Sequence, residues 1–177
     1  HTTTLPITLE QMIYHGSCVV RGVQHAFVVV DMPFGSYQVS AEQAVSSAIQ
    51  IMKETGADAV KLEGGERLFP AIRLIIEAGI PVVGHLGLTP QSVHQLGGYV
   101  LQGKEGAAAD KLLEEAQGLE RLGCCAVVLE KVPAQVAKRV AQTLHIPVIG
   151  IGAGVDVDGQ VLVLQDMLGM EDRFAPK

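Results

Sequence analysis

Short, continuous apolar runs punctuate the chain, separated by longer stretches in which apolar residues recur at helical spacing. The runs at 26–31, 58–63, 80–85, 124–130 and 146–151 predict strands, and their lack of polar alternation predicts that both faces are covered. A last run at 160–164 suits either a strand or the start of a helix. Between the runs, 8–21, 40–55, 66–78, 107–122 and 133–144 predict helices. Thr8 and Ser40 stand where N-caps belong, Gly56, Gly79 and Gly123 where helices stop. Pro133 falls near a first turn, where a missing N–H does no harm. Residues 93–106 form a longer glycine-rich excursion that carries Tyr99 and Lys104.

This alternation predicts an α/β fold of βαβ units in a single domain over residues 1–177, since no linker or shift in composition divides it. Counting leaves two architectures open. One is an open doubly wound sheet. The other is a β/α barrel short of the eight strands and about 250 residues typical of that fold.

Totals narrow the picture. Hydrophobic residues make up 48% of the chain and aromatics only 4%, as in a core built from Val, Ile, Leu and Ala. A formal net charge of -6 argues against nucleic acid as a partner, because a phosphate backbone demands a basic face. Every apolar run falls short of the roughly 20 residues that a membrane span needs, so no membrane partner is expected. Cys18, Cys124 and Cys125 are odd in number, and adjacent cysteines rarely close a relaxed disulfide. They read as buried small residues of a reduced, cytoplasmic protein. The chain opens on His1 rather than Met, which fits a fragment or a processed chain.

Candidate chemistry lies at the C-terminal ends of successive runs: Asp31, Lys61 with Glu63, His85, and Glu130. Each also has a plain structural reading. Asp31 before Met32-Pro33 fits a turn-forming aspartate, and His85 a satisfied core histidine. Lys61 with Glu63 fits an ion pair, and Glu130-Lys131 the point where a strand reaches solvent. Their shared placement favours one pocket, because enzymes built on parallel sheets keep their sites at those strand ends. Asp31 and Glu63 are hard oxygen donors suited to Mg²⁺. Lys61 is a point charge for a substrate carboxylate, and His85 a donor to a developing oxyanion. Glu130, after Val127-Val128-Leu129, has the apolar company of a general base. Together they describe proton abstraction beside a carbonyl. Zinc is not expected, since no His, Cys and Glu residues have the spacing of its ligands. Gly150-Ile151-Gly152-Ala153-Gly154 lacks the helix that a dinucleotide fingerprint needs, and reads as a tight turn or a close approach to a ligand.

Several stretches together resemble the ketopantoate hydroxymethyltransferase family. They are residues 1–6, Val30-Asp31-Met32-Pro33-Phe34, residues 60–65, Gly84-His85-Leu86-Gly87-Leu88-Thr89-Pro90-Gln91-Ser92, residues 129–133, residues 146–154 and Asp158-Gly159-Gln160. The resemblance runs over essentially the whole chain. It implies a (β/α)8 TIM barrel of the phosphoenolpyruvate/pyruvate-like kind. It further implies Mg²⁺ and transfer of a hydroxymethyl group from 5,10-methylenetetrahydrofolate to 3-methyl-2-oxobutanoate, giving ketopantoate for pantothenate synthesis. A homodecamer is implied as well. By position it makes Asp31 and Glu63 metal ligands, Asp31, Lys61 and His85 substrate contacts, and Glu130 the general base. The family carries further βα units upstream, one with a Gly-Asp-Ser motif, so this chain is expected to hold an incomplete barrel of about six strands, truncated at both ends. Val100 departs from the Lys common in the family's Gly-Gly-Tyr-Lys-Val-Gln-Gly loop. Two other readings stand beside this one: a related Mg²⁺-dependent lyase barrel acting on a 2-oxo acid, and an inactive truncated barrel.

Overall fold

A computed structural model describes residues 3–104 and 106–170. His1, Thr2 and the closing Pro176-Lys177, on which the expectation of truncated ends rests, lie outside the described residues. The strands are β1 (Val29–Asp31), β2 (Ala59–Glu63), β3 (Val82–Gly87), β4 (Ala126–Glu130), β5 (Val148–Ile151) and β6 (Gly159–Gln160). The helices are α1 (Leu9–Gly22), α2 (Ala41–Thr55), α3 (Phe69–Glu77), the short α4 (Val93–Leu96), α5 (Ala107–Leu122), α6 (Ala134–Thr143) and the short α7 (Leu164–Met167). Helix starts follow the capping residues. Thr8 and Gln11 form a reciprocal capping box on α1, and Ser40 accepts the Gln43 N–H at the head of α2.

All strands pair in parallel, in the order β1-β2-β3-β4-β5-β6. The sheet is curled as an incomplete barrel. Alternation along the strands gives it unlike faces. Val30, Val60, Leu62, Val82, Leu86, Val127, Leu129 and Val148 point outward and join helix residues such as Ile51, Ile72, Ile75, Leu119 and Val140 in the main core. The other face carries a small cluster made only of strand residues and their neighbour Cys125: Ala59, Val83 and Val128, flanked by Val29, Ala126, Ile149 and Ile151. Helices therefore cover one face alone. A doubly wound sheet would have covered both, so the counting ambiguity resolves to the barrel.

Some expectations need correction. The first strand begins at Val29 rather than at residue 26, and Phe27 is 61% exposed. Among the described residues β1 pairs with β2 alone. Residues 66–78 open with a 3₁₀ turn over Glu66–Leu68 before α3 begins. The run at 160–164 divides between the end of β6 and the start of α7. Among the cysteines only Cys124 is buried; Cys18 is exposed on α1 and Cys125 is half-buried. No helix among the described residues is long and apolar enough to cross a membrane.

Candidate active site

The inner face is built in two tiers. Val29, Ala59, Val83 and Val128 form an apolar floor. Two residues further along the same strands stand Asp31, Lys61, His85 and Glu130, with Glu63 one step beyond Lys61 on the same face. Register then sets their neighbours: Asp31 lies beside Lys61, Glu63 beside His85, and Glu130 beside Gly87. All of the polar residues that the sequence singled out meet here, at the C-terminal mouth of the sheet.

The segment Gly84-His85-Leu86-Gly87 shows why this local sequence is needed. Gly84 faces outward, where an added Cβ would lie 2.5 Å from Leu119 Cδ1, so the absence of a side chain lets α5 pack tightly against β3. His85 then faces inward at 2% exposure. Gly87 has φ +89, and a Cβ there would strike the Glu130 carbonyl oxygen and Val132. The backbone crosses closely enough for the Leu88 N–H to donate to the Glu130 carbonyl at 2.8 Å. One glycine thus seats His85 and the next presses the loop onto the residue that carries the Glu130 side chain.

Side chains form a chain of contacts across the strands. Lys61 Nζ lies 2.8 Å from Asp31 Oδ1 and 3.3 Å from His85 Nδ1. The ion pair that sequence placed between Lys61 and Glu63 is instead made by Lys61 with Asp31. With Asp31 47% exposed, that pair is worth only about 0–1 kcal/mol net and can be exchanged for a substrate carboxylate. An ammonium only donates, so its approach to Nδ1 makes that nitrogen the acceptor and puts the proton of a neutral His85 on Nε2. The alternative, Nδ1–H to Glu63 Oε1, spans 3.8 Å and is too long for a hydrogen bond. Nε2 lies 3.3 Å from Glu130 Oε2, yet the approach is too oblique to bond, and Nε2 is buried without a hydrogen-bond partner. It is a donor held ready for an oxygen beside Glu130.

The two inner glutamates differ in setting. Glu63 is buried at 8% exposure, and burial above all pushes its carboxyl above the ordinary range. His85, the Gln91 N–H and Lys61 oppose that rise, while the nearby Asp31 charge adds to it. Glu130 is 22% exposed and opens onto a cavity of ≈ 770 Å³ lined by Leu88, Tyr99, Lys131, Ile151 and Val161 among others.

Two residues of the site were missed in the sequence, Tyr37 and Gln91. Gln91 donates its backbone N–H to Glu63 Oε2 at 2.8 Å and its side-chain Nε2 to the Met32 carbonyl at 2.8 Å. Its Oε1 accepts from Tyr37 Oη at 2.7 Å, and Tyr37 Oη accepts the Glu63 N–H at 3.2 Å. Both residues sit on loops, where no periodicity marks them. The signal available was that Thr89-Pro90-Gln91-Ser92 lay inside a long distinctive stretch without a role.

The donor set fits Mg²⁺. Among the described residues no group of three or more His, Cys, Asp and Glu converges on a closed cage. Mg²⁺ asks for less: one or two carboxylates, with waters and substrate oxygens completing an octahedron. Asp31 and Glu63 supply hard oxygens at the tips of the adjacent strands β1 and β2.

The family model described as ketopantoate hydroxymethyltransferase matches residues 1–177. The chain belongs to this family. A 3-methyl-2-oxobutanoate hydroxymethyltransferase from Flavobacterium johnsoniae is 62% identical over 177 residues, covering 100% of this chain and 65% of that protein. Relatives of the same name from Bacteroides fragilis and Bacteroides thetaiotaomicron are 61% and 60% identical, over the same shares. The chain therefore spans about 65% of the length of the curated relatives it matches. In fold it is similar to a lyase/mutase from Burkholderia cenocepacia, with TM-score 0.62 at 13% identity over 87% of this chain and 60% of that one. It is also similar to 2,3-dimethylmalate lyase, of the PEP mutase/isocitrate lyase superfamily, with TM-score 0.57 at 14% identity over 82% and 51%. Family membership and the incomplete barrel agree with the resemblance read from the sequence.

Proposed function

We propose that the protein to which this chain belongs transfers a hydroxymethyl group from 5,10-methylenetetrahydrofolate to 3-methyl-2-oxobutanoate, giving ketopantoate for pantothenate synthesis in the cytoplasm. The observation that carries the reading is the row Asp31, Lys61, His85 and Glu130 across adjacent strand tips, with 2.8, 3.3 and 3.3 Å between successive side chains. Names of relatives at 60–62% identity support the same chemistry.

The roles follow from position. Asp31 and Glu63 would hold Mg²⁺, which supplies positive charge to stabilise the enolate of a 2-oxo acid. Lys61, whose partner Asp31 is half-exposed, turns its ammonium to the substrate carboxylate. The His85 Nε2–H donates to the substrate oxygen on which negative charge grows. Glu130, in its carboxylate form, takes the proton from C3, and the resulting carbon nucleophile attacks the methylene carbon of the folate. That attack breaks one of the two carbon–nitrogen bonds of the methylene, and water then supplies the hydroxyl oxygen as the second breaks, so that the hydroxymethyl product forms and tetrahydrofolate leaves. The ≈ 770 Å³ cavity beside Glu130 leaves room for a second substrate. Assembly as a homodecamer belongs to the same reading.

The test is exchange of the C3 proton of 3-methyl-2-oxobutanoate for deuterium in D₂O, with the full-length protein and without folate. Exchange is expected to need Mg²⁺ and to fall about 10²–10⁴-fold in Glu130→Gln. Exchange that survives Glu130→Gln unchanged overturns the assignment.

A further inference from the structure

We propose that Gln91 is the positioning residue that fixes the Asp31 and Glu63 carboxylates relative to each other as paired donors for a divalent cation, an inference that rests on reading those carboxylates as cation ligands. Two carboxylates that share one cation must stand at a fixed separation. Asp31 closes β1 and Glu63 closes the neighbouring β2, so whatever joins these two strand ends sets that separation.

Gln91 spends its polar groups on this task. Its backbone N–H holds Glu63 Oε2 at 2.8 Å. Its side-chain Nε2 reaches across the tip of β2 to the Met32 carbonyl at 2.8 Å, the residue next to Asp31. Its Oε1 accepts from Tyr37 Oη at 2.7 Å and from Gln38 Nε2 at 3.0 Å, both on the loop that follows β1. Tyr37, 2% exposed, closes the circuit by accepting the Glu63 N–H at 3.2 Å. The circuit runs from Glu63 to Tyr37 to Gln91 and back to the Glu63 carboxylate, and a branch ties it to the Asp31 loop. The loops after β1 and β3 and the tip of β2 are thus fastened through one residue, by its side chain and its backbone N–H together. Outer partners of this kind orient the ligands of a metal, and their loss typically costs about 10–100-fold in metal affinity.

The test measures Mn²⁺ affinity of the full-length protein from the free-ion EPR signal, with no substrate present. Gln91→Ala is expected to weaken Mn²⁺ binding about 10–100-fold per folded molecule. Tyr37→Phe should weaken it in the same direction, and the double variant should be no worse than Gln91→Ala, because both act through one circuit. A purely structural role would lower the melting temperature and leave the affinity of the folded fraction intact. If Asp31→Ala abolishes Mn²⁺ binding while Gln91→Ala and Tyr37→Phe bind as the unmodified protein does, the positioning role is wrong and the cation reading stands. If Asp31→Ala and Glu63→Ala both leave affinity unchanged, the cation reading fails and this inference with it. Should Gln91→Ala not fold, Tyr37→Phe decides between the same outcomes.

Discussion

Gly84 and Gly87 are separated by two residues on β3 and are expected to respond quite differently to a single added methyl group. At Gly84 the new Cβ would meet Leu119 Cδ1 at 2.5 Å, the far end of a side chain in the core. That end can move at a cost, so Gly84→Ala should destabilise by about 1–3 kcal/mol, as overpacking usually does. At Gly87 the new Cβ would strike a carbonyl oxygen, which cannot rotate away, and Val132 Cγ2 at 2.6 Å. It would also hold φ at +89, where an L side chain is strained. Together these costs come to about 2–5 kcal/mol. Urea denaturation followed by circular dichroism reads both as a lower midpoint at constant slope. The decisive variant adds Leu119→Ala, which alone should cost about 2–5 kcal/mol by opening a cavity. In Gly84→Ala/Leu119→Ala the new methyl occupies that space, so the double variant should be at least as stable as Leu119→Ala, with a coupling of about 0.5–3 kcal/mol. Val132→Ala should give Gly87→Ala no comparable relief, because the backbone clash remains. Equal costs at both glycines, or additivity between Gly84 and Leu119, would refute the packing account. Gly87→Ala should also slow C3 exchange, since it displaces the backbone that presents Glu130.

Two further outcomes follow from the site. His85→Asn removes the Nε2 donor and should lower C3 exchange about 10²–10³-fold, as loss of an oxyanion donor does; undiminished exchange in correctly folded protein would count against that role. Glu63 has its folded pKa raised above 4.5, chiefly by burial, so the folded state binds its proton more tightly than the unfolded state. In chelator-treated protein its contribution to stability is then fully present below pH 4.5 and is lost as pH rises through the folded pKa. Glu63→Gln should therefore raise the melting temperature at neutral pH, an advantage that disappears below pH 4.5, where both forms are neutral. Scanning calorimetry over that range checks it, and a variant less stable at neutral pH would show that the carboxylate is held by partners rather than penalised by burial.

Much was already legible in the chain. Continuous apolar runs located the buried strands, because a parallel strand covered on both sides has no polar face to alternate with. Ser40, Gly56 and Gly123 marked helix ends, because caps and left-handed stops are local chemistry. The breaks in those runs marked Asp31, Lys61, Glu63, His85 and Glu130, since charge at the end of an apolar strand needs a reason that core packing does not supply.

Tertiary structure decided the rest, and each case turned on distance across strands. Strand count could not separate an open sheet from an incomplete barrel; the inner face did, because it is buried by its own strands' side chains and no helix packs on it. Lys61 had Glu63 two residues away, yet register put Asp31 at 2.8 Å. Burial fell on Glu63 and left Glu130 partly open to a cavity, although the sequence around Glu130 is the more apolar. Gln91 and Tyr37 lie 54 residues apart on loops without periodicity, and only the curl of the sheet brings them onto the Glu63 carboxylate and its backbone. The residues able to do chemistry were local facts of sequence. Which of them touch, and what holds them there, came from the register of parallel strands and the loops that cross their ends.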